Sequence, residues 1–319
     1  MKKIYVLFLV CFAFMLAFAG CSGDETSDDV TIRVAALKGP TGMGMAKLME
    51  MRPNDTYIIE GAPDTIVGKL TTGEVDIAAL PTNLGATLYN KTGGEVQIAA
   101  VNTLGVLYIL SSEEEVKTVA DLKGKTIIGA GQGTTAQYIL EYILTENGLT
   151  VGEDVTVDYR SEHSEVASLA LAGEGEIYLL PEPFVTSVMA KSTTIRIALD
   201  LTEEWDDVSE EDAPLPMGGL IVRKAFVEEH PEAFAQFMED YQTSTEYANN
   251  NPEEAAALME TYGIMDAAVA EKAIPNCNIV FLAGEEMKTA LAPFYEILFA
   301  ANPASIGGTL PEEDFYYIY

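Results

Sequence analysis

Two stretches of the chain, GEVDIAALPTN (residues 73–83) and GEGEIYLLPEP (residues 173–183), lie 100 residues apart with Gly, Glu, Ile, Leu and Pro in register. Five identities in eleven positions carry little weight alone, so the surrounding pattern decides whether they mark a repeat. From Thr31, short runs rich in Val and Ile alternate with helical patterns and Gly or Pro turns, as in parallel strands crossed by helices. The first half reads as TIRVAAL strand, GPTG turn, helix over 43–51, YIIEGA strand, PDTIVGKLTTG helix, then VDIAALP and QIAAVNT strands. GVLYILS (105–111) is a further strand with no place in a compact first half. The order then restarts: KTIIGA strand, GQGTT turn, a helix to residue 144, VTVDYR strand, SEVASLALAG helix, EIYLLP strand, TIRIAL strand. The repeat therefore marks equivalent places in two similar lobes.

GGLIVRKAF (218–226) reads as one more strand, followed by helices only. In NNPEEAAALMETYG, Asn251 suits a cap, Pro252 the first helical turn and Gly263 the end. An all-helical third lobe is less economical than a chain that crosses to the second lobe near residues 106–112 and returns near 219–223. The expected class is α/β, with two Rossmann-like lobes joined by two crossing strands. Lobe 1 is discontinuous, 31–107 plus 222–319, and lobe 2 is 108–221.

The ends bound the setting. Lys2 and Lys3 precede an uncharged run to Ala19 ending AFAGC, which reads as a signal peptide over 1–20. The run is shorter than the roughly 20 residues of a membrane-spanning helix. FAGC resembles a bacterial lipobox with Phe18 where Leu is usual, implying lipid on Cys21, and residues 21–30 read as an acidic tether. Cleavage removes two lysines and takes the net charge from −32 to −34, which disfavours nucleic acid and anionic lipid as partners. Cys11 leaves with the leader and Cys21 is acylated, so Cys277, expected to be buried, has no internal disulfide partner.

Ligands of open α/β sheets sit outside the carboxyl ends of strands. Four loops fall there. In LKGPTGMG, Lys38 is the main cation, Gly39 and Gly42 on either side of Pro40 permit close approach, Thr41 donates or caps, and backbone N–H groups at a helix start are offered to a ligand. Met43 is a pocket wall or, more often for Met, core filler. No Lys-Ser/Thr ending supports a nucleotide loop. GQGTT supplies Gln132, Gly133, Thr134 and Thr135 in the same manner. Pro81 leads to Thr82 and Asn83, which either cap a helix or touch ligand. Glu182 either complements a helix dipole or accepts hydrogen bonds from a ligand amine or ring N–H. Asn102 and Thr103 end a strand at the same edge.

Other residues attract less. His163 and His230 are the only histidines, with no partner at metal spacing, so no metal is expected, and no cofactor. His230 reads as a solvated cap, Trp205 as a surface or cleft-rim residue amid acids, and residues 113–115 and 206–212 as solvated acidic loops.

Taken together, the leader ending AGC, KGPTGMGMAKLM, GEVDIAALPTN, NTLGVLYILS, DLKGKTI, GQGTT and LPEPFVT resemble the nitrate/sulfonate/taurine-type substrate-binding proteins of bacterial ABC importers, over Thr31 to the C-terminus. The resemblance implies the type II periplasmic binding protein architecture. It also implies a small-molecule ligand between the lobes, delivery to an ABC permease with its ATPase, a lipid anchor outside the cytoplasmic membrane and a monomer. Related members bind pyrimidine vitamin precursors; the cysteine-rich motif of the pyrimidine-precursor synthases is absent. The expected function is a non-enzymatic receptor for a sulfonate, weak anion or pyrimidine-like solute. The scarcity of cleft cations favours neutral heterocycles or weak anions. The alternatives are an enzyme on the same fold using Glu182 or His163 as acid or base, and a surface sensor or adhesion protein.

Overall fold

Among the described residues, eleven strands fall into two separate sheets. They are β1 (Arg33–Leu37), β2 (Thr56–Glu60), β3 (Ile77–Pro81), β4 (Val96–Thr103), β5 (Leu107–Ser111), β6 (Thr126–Ala130), β7 (Thr156–Arg160), β8 (Ile177–Pro181), β9 (Arg196–Asp200), β10 (Gly218–Arg223) and β11 (Ile279–Ala283). The computed structural model describes residues 30–209 and 214–318. The expected leader, the tether with Cys21 and part of the second acidic run lie outside the described residues.

The first sheet runs β11-β4-β10-β3-β1-β2 and the second β7-β6-β8-β5-β9. Read from β2 and from β7, five strands correspond one to one in order and direction. Strands β1 and β6 are parallel to both neighbours, while β10 and β5 run antiparallel between theirs. The chain leaves the first sheet between Thr103 and Leu107 and re-enters it at Gly218. This is the two-lobed α/β architecture expected from the repeat.

Local chemistry explains the correspondence. The helices Pro63–Thr72 and His163–Ala172 both end on a left-handed glycine, Gly73 at φ 76° and Gly173 at φ 71°. Such a C-terminal glycine turns the chain without Cβ strain and delivers it into a strand. Both strands so delivered, β3 and β8, are buried over their first four residues, as continuous apolar runs covered on both faces are. Asp76, just before β3, is buried and ion-paired with Arg33 and Arg223, which ties β1, β3 and β10 together.

Several expectations are corrected. Helices alone do not follow residue 226: β11 pairs antiparallel with β4 at the sheet edge. A five-residue apolar run between helices has no period that separates strand from helix. The GPTG stretch is not a plain turn, because Pro40–Met43 is a short helix and a second helix begins at Ala46. Trp205 is not at the surface but fully buried. It lies on the helix Leu201–Val208, where Leu201 and Trp205, four residues apart, share the inward face and the acids project elsewhere. Asp206 and Asp207 thus belong to a helix rather than a loop. His230 stands at the start of the helix Pro231–Asn250 without a side-chain capping bond, its ring 5.4 Å from that of Phe226.

One apolar cluster runs through both sheets' flanking layers, from Ile66 and Leu70 through Trp205, Leu215 and Met217 to Ile139 and Leu140. A smaller one, with Val166, Leu180 and Val185, covers the other face of the second sheet.

Candidate functional site

The two proline corners are built alike. After β3, the Thr82 N–H donates to the Met217 carbonyl at 3.1 Å; after β8, the Glu182 N–H donates to the Val106 carbonyl at 2.9 Å. Each corner is thereby tied to the segment that leads into its sheet's antiparallel strand. The carboxyl edges of the two sheets face each other. Asn83 Nδ2, after β3, donates to the carbonyl of Gly133, after β6, at 3.1 Å, and also to the Ser305 carbonyl at 3.0 Å. Thr135 Oγ1 donates to the Met217 carbonyl at 3.4 Å, and the helix Ala267–Ala273 lies against Phe184–Met189. At the rim, Gly61 sits so close to Glu162 that a Cβ there would be 2.6 Å from its carboxyl carbon.

The glycine turns serve the fold before any ligand. Gly39 adopts φ 139°, and a Cβ on Gly42 would lie 2.6 Å from the Leu37 carbonyl oxygen, a backbone atom. Gly42→Ala is therefore expected to destabilise the protein by roughly 1–3 kcal/mol. Chemical denaturation checks this, and an unchanged midpoint would contradict it. The expectation that these turns offer open N–H groups is corrected at four positions. Gly42 and Met43 donate to the Gly39 carbonyl at 3.0 and 2.9 Å, Thr134 to the Gly131 carbonyl at 3.1 Å, and Gly133 to Gln137 Oε1 at 2.6 Å. A tight turn that precedes a helix satisfies its own first donors, which spacing alone does not reveal.

Thr41, Thr82, Asn83, Asn102, Thr103, Thr134, Thr135 and Glu182 are all buried, as are Gly39, Pro40, Gly42 and Met43. Pro81 and Gly133 are partly buried, whereas Lys38 and Gln132 are exposed. Lys38, the expected cleft cation, thus stands in solvent. Gly218 brings three of the lobe 1 residues together: a Cβ there would lie 2.6 Å from Asn102 Oδ1, 2.8 Å from Thr41 Cγ2 and 3.1 Å from Thr103 Cβ. Asn102 Oδ1 accepts the Thr103 hydroxyl at 3.1 Å, while Asn102 Nδ2 and Asn83 Oδ1 are buried without partners. Tyr241, which nothing in its helical run YQTSTEY singles out, places a buried hydroxyl beside Asn102.

Glu182 is 3% exposed, and its carboxylate accepts the Thr186 N–H and hydroxyl, each at 3.0 Å. Burial raises its pKa, and the two bonds from Thr186 oppose that rise. Cys277 is buried against Met43, with 3.9 Å between the sulfurs. Its thiol is pushed up by burial first and the Glu182 charge second. Tyr108 is pushed to about 12 by burial, then by the charges of Asp200 and Glu182. His163 is half-buried, its ring 5.8 Å from that of Phe184, but its Nδ1 is shut off from solvent with no partner, and burial lowers its pKa to about 4. The imidazole is neutral at pH 7.

The architecture has solved counterparts. A crystal structure of an ABC transporter protein from Parabacteroides distasonis is 26% identical, covers 91% of this chain and 99% of its own, and superposes with a TM-score of 0.73. The alkanesulfonate-binding protein SsuA from Xanthomonas axonopodis pv. citri, bound to MOPS, is 18% identical over 88% of this chain and 94% of its own, with a TM-score of 0.67. The latter likeness is one of fold. A Brucella abortus protein, named as a candidate binding protein, is 24% identical over 189 residues, 59% of this chain. The match spans 56% of that relative's length. A family model described as Menaquinone biosynthesis matches residues 34–300. The two-lobed fold is thus that of ABC-importer binding proteins, and with so much of its length matched the chain belongs to the menaquinone biosynthesis family.

Proposed function

We propose that this chain is the extracytoplasmic solute receptor of an ABC importer, capturing a small polar or heterocyclic molecule between its lobes. The expected bounds of 107/108 and 221/222 would split β10, so residues 31–106 with 218–319, which hold the whole first sheet, move as one body and 107–217 as the other. Lipid on Cys21 holds the monomer at the membrane, and a permease with its ATPase receives the closed form. The observation that carries this reading is the bond across the two carboxyl edges, Asn83 Nδ2 to the Gly133 carbonyl. It joins loops that part if the lobes open, so it belongs to one of two states that a ligand bridging both lobes would bias.

Small-angle scattering with and without solute tests it: the radius of gyration falls on binding a transported compound, and an unaltered profile at saturation refutes the receptor reading. Asn83→Ala removes one neutral interlobe hydrogen bond and is expected to weaken solute affinity about fivefold, the equivalent of about 1 kcal/mol. Titration calorimetry reads this directly.

The family description favours a second reading, a small-molecule enzyme that uses Glu182 or His163 as acid or base. Recovery of a converted compound rather than unchanged solute, after incubation with the purified protein, would favour it over transport.

A further inference from the structure

We infer that the captured solute is a nitrogen compound that brings N–H donors or a protonated nitrogen to the Glu182 carboxylate, rather than an oxyanion. This rests on the receptor reading above and narrows it. Hydrogen-bond capacity at the facing edges separates the two classes of solute. A hydroxyl carries one proton and two lone pairs, so once its proton is committed it presents only acceptors. The Thr41 hydroxyl donates to the Leu37 carbonyl at 3.4 Å, Thr82 to the Pro216 carbonyl at 2.6 Å, and Thr103 to Asn102 Oδ1 at 3.1 Å. In lobe 2, Thr134 donates to the Gly131 carbonyl at 2.6 Å and Thr135 to the Met217 carbonyl at 3.4 Å. Thr82, Thr103 and Thr134 are thereby left with lone pairs to offer, while the 3.4 Å bonds of Thr41 and Thr135 are long for a hydroxyl donor.

The backbone gives the same sign. Four of the turn amides that would cradle an anion, those of Gly42, Met43, Gly133 and Thr134, already have acceptors. Glu182 adds two acceptor oxygens, each holding one bond from Thr186 and able to take another. Among the described residues no Lys or Arg pairs with it. A buried carboxylate with no cation is costly unless a donor completes it, and a bound nitrogen would do so. An oxyanion would instead meet a like charge, and the buried donors left to it in lobe 1 are Asn102 Nδ2 and the Tyr241 hydroxyl. The net charge of −32 draws cations and repels anions at longer range.

The test is titration calorimetry of the full chain against two sets of probes, in a buffer free of sulfonates. One set is putrescine, agmatine and cytosine; the other is ethanesulfonate and nitrate. At least one nitrogen compound is expected to bind with 1:1 stoichiometry. Glu182→Gln, which keeps the side-chain volume, should lower that affinity roughly tenfold to hundredfold, the range for a charge-assisted bond. Glu182→Asp, which keeps the charge, should recover part of it, separating loss of charge from loss of fold. The inference is overturned if the wild type takes up none of the three nitrogen compounds. It is equally overturned if ethanesulfonate or nitrate binds 1:1 and Glu182→Gln leaves that affinity intact. Scattering on the same samples separates the two readings. Compaction by an anion leaves the receptor standing while this inference falls. Glu182-dependent binding of a nitrogen compound without compaction does the reverse.

Discussion

Replacing Trp205 with Ala is expected to lower the stability of the chain by about 3–5 kcal/mol, the range for deleting a buried Trp or Phe side chain. The indole is fully buried, with its ring 5.1 Å from Tyr142 and 5.7 Å from Phe294. Tyr142 lies on the helix Thr135–Glu146, which covers the second sheet, and Phe294 on Gly284–Ala301, beside the first. The cavity would therefore open where the covering layers of both sheets meet. Neither layer relaxes into it independently, which places the expected cost toward the upper end. Urea unfolding followed by far-UV circular dichroism reads the change, and a loss below about 1 kcal/mol would show that Trp205 is not the bridge its position implies.

Acidification is the second large effect. The His163 pKa falls from an ordinary 6.5 to about 4 in the folded chain, because burial disfavours its charged form. A depressed folded value means that the stabilisation is fully present above the unfolded pKa of 6.5 and is lost as pH falls through about 4. Since the ring is only half-buried, the loss is expected to be about 2 kcal/mol, below what the full shift would give. Glu182 acts with the opposite sign. Its folded pKa is raised, so its contribution is fully present below the unfolded carboxylate value and lost as pH rises through the folded one. Denaturant midpoints from pH 7 to 4, compared between wild type and His163→Gln, isolate the histidine. The variant should show a flatter profile, and parallel profiles would contradict the assignment.

The repeat carried most of the architecture. Gly73 and Gly173 end helices, Pro81 and Pro181 end strands, and the residues after them, Thr82 and Glu182, make the same backbone bond in each lobe. These features are local: a left-handed glycine, an apolar run and a proline each leave a mark within a few residues. Long-range facts left none. The acids around Trp205 hid a helix whose inward face holds Leu201 and Trp205, because sequence neighbours on a helix point in different directions. Strand β11 is edge-paired with a partner far back in the chain.

The buried polar residues of the cleft were visible as residue types at strand ends. Their hydrogen-bonding direction was not, since whether a threonine proton goes to a ligand or to a carbonyl depends on which carbonyl folds beside it. Tyr241 and Tyr108 enter through tertiary packing alone.

Strand β10 is central to the first sheet, yet it is synthesised after all of the second. Until residue 223 has left the ribosome, β3 and β4 each lack the neighbour that closes their ladder. The amino-terminal third of the polypeptide is thus obliged to wait, with open edges, for more than a hundred later residues. Pairings across such sequence separations are slow to form and vulnerable to self-association. The nascent chain's exposure to chaperones is therefore written into its strand order rather than into any one residue.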